Sequence, residues 1–86
     1  TFAQAVRLAQ QSVTAGQQAT TPAEWLDLAA RWQRAADLMA EVPIEDERYA
    51  IAQDRILTYQ QNSDQALNQA DQLQQNDAAP ATEASE

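Results

Sequence analysis

The amino-acid sequence predicts an all-α fold, a three-helix up-down-up hairpin bundle with a long third helix. The composition is typical of helices, because Ala, Gln and Leu are abundant while Gly occurs once and Pro three times. Apolar residues also recur at spacings of three and four in three segments, about 2–18, 22–42 and 47–76. We expect residues 1–76 to form one helical module. The Ala-, Pro-, Thr-, Ser- and Glu-containing segment 77–86 is predicted to be a disordered acidic tail or linker.

The first two helices are predicted from a stripe and a start signal. The first helix carries one apolar stripe of four residues, Phe2, Val6, Ala9 and Val13. At the start of the second, Thr21 precedes Pro22, and Glu24 follows three residues after Thr21. This is the pattern of a capping box with proline in the first turn. The second helix should end near residue 42, because the residue before Pro43 is disfavoured in the α conformation.

The second and third helices are predicted to supply the core. Helical spacing places one apolar stripe on each of these two helices. The predicted core residues in the two stripes are Trp25, Leu28, Trp32, Met39, Tyr49, Ala52, Ile56 and Tyr59. Trp25 and Trp32 could instead form a recognition pair, but their separation of seven favours successive layers of one stripe. The third stripe continues through Ser63, Ala66, Ala70 and Leu73, which is typical of a coiled-coil seam. At about 1.5 Å per residue, the third helix should overhang the second.

Composition and charge disfavour several functions. The net charge is −8, with 13 acidic residues and 5 Arg, and there is no basic face for nucleic acid. No apolar run approaches the roughly 18 residues of a membrane span, so we expect no direct membrane insertion. The chain contains no Cys and no His. We therefore predict a non-enzyme with no catalytic residue, cofactor or metal site. Because the chain begins with Thr1, we expect a processed chain or a fragment of a longer one.

Part of the sequence resembles a helical accessory unit that recurs in cyanobacterial proteins. Its pattern is E-W-x-x-x-A-x-x-W-x-x-A, then V-P, Y-x-x-A and Y-x-x-N. The matching residues here are Glu24-Trp25, Ala29, Trp32, Ala35, Val42-Pro43, Tyr49, Ala52, Tyr59 and Asn62. The resemblance implies an accessory region without catalytic residues, appended to protease-like, kinase-like and uncharacterised domains. It also implies a cyanobacterial cell, with thylakoid-associated and extracytoplasmic placements both open.

A weaker similarity links the second helix to tetratricopeptide repeats. Trp25, Leu28, Ala29 and Trp32 match the first-helix pattern W-x-x-L-G-x-x-Y, with Ala in place of Gly and Trp in place of Tyr. The second-helix signature does not follow at the expected spacing. The similarity therefore implies a tetratricopeptide-like helical hairpin and not a tetratricopeptide repeat.

These observations predict a non-catalytic interaction or scaffold module that binds another protein through exposed apolar faces. Five apolar residues lie off the main stripes and are the predicted partner-binding residues: Leu26, Leu38, Ile51, Leu57 and Leu73. The alternative is a small structural subunit or peripheral piece of a larger photosynthetic or membrane-associated assembly. A chain of 86 residues has limited core to bury, which is the basis of that alternative. Self-association is left open.

Overall fold

The computed structural model describes the backbone of residues 1–84 and the side chains of residues 1–75. The order of elements is α1 (Phe2–Gln18), α2 (Pro22–Ala40) and α3 (Tyr49–Ala84). No strand occurs among these residues. The prediction of an all-α three-helix bundle with a long third helix is confirmed.

The turn between α2 and α3 is longer than the spacing predicted. The chain leaves the helix at Ala40, two residues early, because the backbone N–H groups of Glu41 and Val42 bond to carbonyls three residues back. The helix α3 begins at Tyr49, whose N–H donates to the carbonyl of Asp46 (3.0 Å). Its assigned end, Ala84, lies beyond the predicted residue 76. The predicted tail at 77–86 falls outside the residues with described side chains, so it stays a prediction.

The start of α2 is the capping box that the sequence predicts. The backbone N–H of Glu24 donates to the Thr21 hydroxyl oxygen (3.2 Å). In return, Glu24 Oε1 accepts hydrogen bonds from the backbone N–H groups of Thr20 and Thr21, both at 3.0 Å. These bonds satisfy donors that have no partner within the helix, and they set the angle at which the chain enters α2.

The helix α2 is the centre of the fold, because it packs against both α1 and α3 while those two hardly approach each other. Its contact with α3 uses large side chains. The rings of Trp32 and Tyr59 lie 5.4 Å apart at 44°, and the buried Ser63 hydroxyl donates to the carbonyl of Ala29 (2.8 Å). The Tyr59 hydroxyl accepts from Arg55 (3.4 Å) at the edge of this contact. The pairing of α2 and α3 is thus fixed by both shape and a polar contact.

At the contact between α1 and α2, the buried side chains of α1 are small, while Phe2, Val6 and Leu8 pack against the core from partly buried positions. Ala5, Ala9 and Ser12 are the buried residues of α1, and the Ser12 hydroxyl bonds back to the Leu8 carbonyl of its own helix (2.8 Å). The predicted α1 stripe therefore differs from the observed contact at its C-terminal end, where Val13 is 51% exposed. Small residues lie at the closest approach of two helices, and larger neighbours are turned to the side of the contact.

The eight predicted core residues separate into three groups. Leu28, Trp32, Met39, Ala52 and Tyr59 are buried. Trp25 and Ile56 are partly buried against that cluster. Tyr49 is half-buried and does not belong to the cluster. It is the first residue of α3, so it lies where α2 has already ended, which corrects its assignment to the core.

Candidate interaction surfaces

The predicted partner-binding residues do not form one surface. Leu26, Ile51 and Leu57 are exposed and Leu73 is half-buried. Leu38 is partly buried against the core, so it offers a partner only part of its side chain. At about 100° per residue, Leu26 and Leu38 point about 120° apart on α2, as do Ile51 and Leu57 on α3. Position off the main stripe identified three exposed apolar residues among the five, but it did not identify residues that share a surface.

One predicted residue does take part in a surface shared by two helices. Leu26 of α2 and Leu67 of α3 border a shallow cavity of about 340 Å³, and each is 46% exposed. The cavity is also lined by Ala29, Ala30, Gln33, Ser63 and Asp64. We call this surface the Leu26–Leu67 patch. Leu67 was missed as a surface residue, although its spacing of four from Ser63 places it beside the third-helix stripe.

A larger groove lies between α1 and α3, with a cavity of about 600 Å³. Trp25, Leu28 and Trp32 of α2 form its floor. Four residues line it from each of the other helices: Ser12, Val13, Gly16 and Gln17 from α1, and Asn62, Gln65, Ala66 and Gln69 from α3. We call it the α1–α3 groove. No direct sequence signal predicts this groove, because its walls come from helices that are distant along the chain.

The groove lining is uncharged, although charged residues make up 21% of the chain. The walls contribute side-chain amides together with Val13 and Ala66, and the floor contributes two indole rings and a leucine. Gly16 lies close to the floor, since a Cβ at that position would come within 3.2 Å of Leu28 Cδ2. This mixture suits an apolar ridge with neutral polar groups at its edges.

A third cavity, of about 150 Å³ between α1 and α2, has a different character. It is lined in part by Glu24, Asp27 and Arg31, and the last two form an exposed ion pair at 3.0 Å. Hydrogen bonds from the backbone and hydroxyl groups of Thr20 and Thr21 lower the pKa of Glu24. The role of that carboxylate is therefore to hold the start of α2.

Asp46 has a similar role before α3. Its carboxylate accepts hydrogen bonds from the backbone N–H (2.8 Å) and the guanidinium (3.3 Å) of Arg48. These bonds lower the pKa of Asp46. Among the residues with described side chains, the two carboxyl groups with a displaced pKa thus accept hydrogen bonds from residues that directly precede a helix, and in both cases the charged form is the favoured one.

Two structural findings concern membrane-spanning helices and metal sites. In the residues that the structure describes, no helix is long and apolar enough to cross a bilayer. The same residues contain no cluster of three His, Cys, Asp or Glu placed to hold a metal ion.

Comparison with known proteins adds no relative. No protein-family model, no curated protein and no solved structure matches the chain. The resemblance to the cyanobacterial accessory unit and to tetratricopeptide hairpins therefore stays a prediction.

Proposed function

We propose that the chain is a non-catalytic protein–protein interaction or scaffold module that binds another protein through exposed apolar faces. The observation that supports this proposal is the Leu26–Leu67 patch, where two helices present a leucine each around a floor containing Ala29 and Ala30. Burying apolar surface contributes about 25 cal/mol per Å², so two half-exposed leucines on a shared hollow favour contact with a partner.

Site-specific photocrosslinking tests the patch. A photoreactive side chain replaces Leu67, and a matched one replaces Leu57, which is 62% exposed and does not line the patch cavity. The extract is cyanobacterial, as the sequence resemblance suggests. We expect one partner to be crosslinked from position 67 and not from position 57, and to be displaced by the unmodified chain.

Substitution completes the test. Leu26→Asp with Leu67→Asp should abolish capture of that partner while the far-UV circular dichroism stays unchanged, because both positions are half-exposed. Leu57→Asp should leave capture intact. Equal crosslinking from both positions, or capture that survives the double substitution, would contradict a binding role for the patch.

A second candidate is a small structural subunit or peripheral piece of a larger photosynthetic or membrane-associated assembly. The observation that favours it is the thin core: among the side chains that the structure describes, seven of the twelve clustered buried residues are alanines and Met39 is the largest fully buried one. A core of this kind buries little apolar area per residue. We then expect a low and broad thermal transition for the isolated chain, and a sharp transition at high temperature would argue against this candidate.

A further inference from the structure

The three helices are arranged like three corners of a four-helix bundle. In such a bundle each helix packs against two neighbours, and helices on a diagonal do not touch. Here α2 has both α1 and α3 as neighbours, while α1 and α3 hardly approach each other. Near one end, the guanidinium of Arg48, the residue just before α3, lies 4.7 Å from the centre of the Phe2 ring of α1. Away from that end, the α1–α3 groove occupies the position opposite α2.

The lining of the groove defines the face that an occupant must present. Along α3, Asn62, Gln65 and Gln69 line the groove at helical spacings of three and four. Along the floor, Trp25 and Trp32 lie seven residues apart, or about 10 Å at 1.5 Å per residue. An occupying helix therefore contacts the floor over about two turns. Aliphatic side chains would pack on the indoles, and small or neutral polar ones would face the amides.

Charge restricts the occupant further. A charged side chain buried in the groove would meet no opposite charge among the described lining residues, so the inserted seam must be uncharged. The chain as a whole is acidic, with a net charge of −8, so its average long-range field is negative. That field attracts a helix with basic flanks and disfavours a second copy of the chain, which carries the same −8.

We propose that the α1–α3 groove binds one amphipathic α-helix of another protein, which has an uncharged seam and Lys- or Arg-rich flanks and completes a four-helix bundle. This inference rests on the proposed function, since it names the class of partner. The groove is a surface separate from the Leu26–Leu67 patch. The experiments on the groove and on the patch can therefore give independent results. The recognition mode is helix-in-groove binding, with anchors at helical spacing.

The test uses a display library of single helices of about 18 residues, long enough for marginal helicity in water. Seam and flank positions are randomised to include acidic, basic, polar and apolar residues. We expect selection on the whole chain to enrich an uncharged seam with basic flanks. Enriched peptides should also change the fluorescence of Trp25 and Trp32, the two tryptophans of the chain, because both line the groove.

Matched variants locate the binding. Val13→Arg places a charge in the wall of the groove at an exposed position, and it should weaken the enriched peptides by at least about tenfold, or 1.4 kcal/mol. Leu67→Arg, at a similarly exposed position in the Leu26–Leu67 patch, should leave their affinity unchanged. Circular dichroism checks that both variants keep the helicity of the parent chain.

Three outcomes would overturn the proposal. The first is an enriched set with charged seams or acidic flanks. The second is that Val13→Arg weakens the binding of none of the enriched peptides. Peptides whose binding is weakened by Leu67→Arg alone would count as this outcome. The third is a dimer of the chain alone in light scattering that Val13→Arg dissociates, because the occupant would then be a second copy. Failure of the patch crosslinking, with groove binding retained, would reject the Leu26–Leu67 patch and leave this inference standing.

Discussion

The two contacts that α2 makes are built from different kinds of side chain. Towards α3 they include an aromatic pair, Trp32 with Tyr59, and a buried hydrogen bond from Ser63 to the Ala29 carbonyl. Towards α1 the buried residues of the partner helix are Ala5, Ala9 and Ser12, and the Ser12 hydroxyl is satisfied within its own helix. The first contact specifies its partner by shape and polarity. In the second, the buried side chains of α1 are small, and the buried hydroxyl makes no hydrogen bond to α2.

The difference indicates how stability is distributed in the molecule. The helix α1 also lacks a side-chain hydrogen bond at its N-cap and has no acidic residue in its first turn. It therefore depends on its apolar contact with α2, whereas α2 has both its capping box and its contact with α3. We expect α1 to open locally at a lower free energy than the α2–α3 hairpin. Since α1 forms one wall of the α1–α3 groove, such opening would also alter the groove.

The largest expected effect is that of Trp32→Ala. The side chain is 8% exposed and its ring lies against that of Tyr59 at a tilt of 44°, so its removal leaves a cavity between α2 and α3 and should cost about 3–5 kcal/mol. In a domain of this size, that loss should unfold most of the chain. Urea titration followed by far-UV circular dichroism measures it. A loss below about 1 kcal/mol would show that the aromatic contact does not dominate the hairpin.

Replacing a buried alanine with leucine should have the next largest effect on the free energy of unfolding. Ala5 of α1 and Ala52 of α3 are both fully buried, and a leucine at either site should cost about 1–3 kcal/mol if the helices cannot separate. Because the buried side chains of α1 are small and α1 packs mainly on α2, we expect Ala5→Leu to release it and Ala52→Leu to lower global stability. Amide hydrogen exchange distinguishes the two results. Loss of protection in α3 with Ala5→Leu would contradict the separate behaviour of the two contacts.

Substituting the two buried serines, Ser63 and Ser12, compares the two helix contacts through smaller expected changes in stability. Ser63→Ala removes a buried hydrogen bond between helices and should cost about 0.5–1.5 kcal/mol. Ser12→Ala removes a bond within α1 and replaces serine with a better helix former, so we expect a change close to zero. The measurement is the urea midpoint of each variant. Equal losses would mean that the Ser12 hydroxyl stabilises the α1–α2 contact in a way that its own-helix bond does not explain.

The smallest expected effect depends on pH. The pKa of Glu24 is lowered in the folded chain, so the unfolded chain binds a proton first as the pH falls. The stabilisation that this carboxylate contributes is present above its unfolded pKa and is lost as the pH falls through the folded value. The melting temperature should therefore decrease in acid.

Glu24→Gln is the matched control for the pH effect, because glutamine also fits the capping box. The substitution should flatten the dependence of melting temperature on pH in the acid range. The lowered pKa of Asp46 should leave a residual slope of the same sign. An unchanged profile in Glu24→Gln would exclude the capping carboxylate as the source.

Local signals in the sequence predicted individual helices well. Thr21 and Glu24 specify the start of α2 by short-range hydrogen bonds, and Pro22 favours the first helical turn through its fixed φ, so a pattern of four residues was sufficient. The core of the α2–α3 hairpin was also largely predicted, since periodic large residues such as Trp32 and Tyr59 face each other when two helices pair. The α1 stripe was less well predicted, because small residues determine its contact and Val13 remained exposed.

The surfaces depended on the tertiary structure. Leu26 was singled out by its position off the stripe, but only the packing of α2 on α3 places it at the same cavity as Leu67. The groove floor contains Trp25 and Trp32 because α1 and α3 lie on two sides of α2 without closing over it. The sequence by itself determined the helices, since periodicity and capping act within a few residues. The tertiary structure decided which residues share a surface, because that depends on the angle between helices.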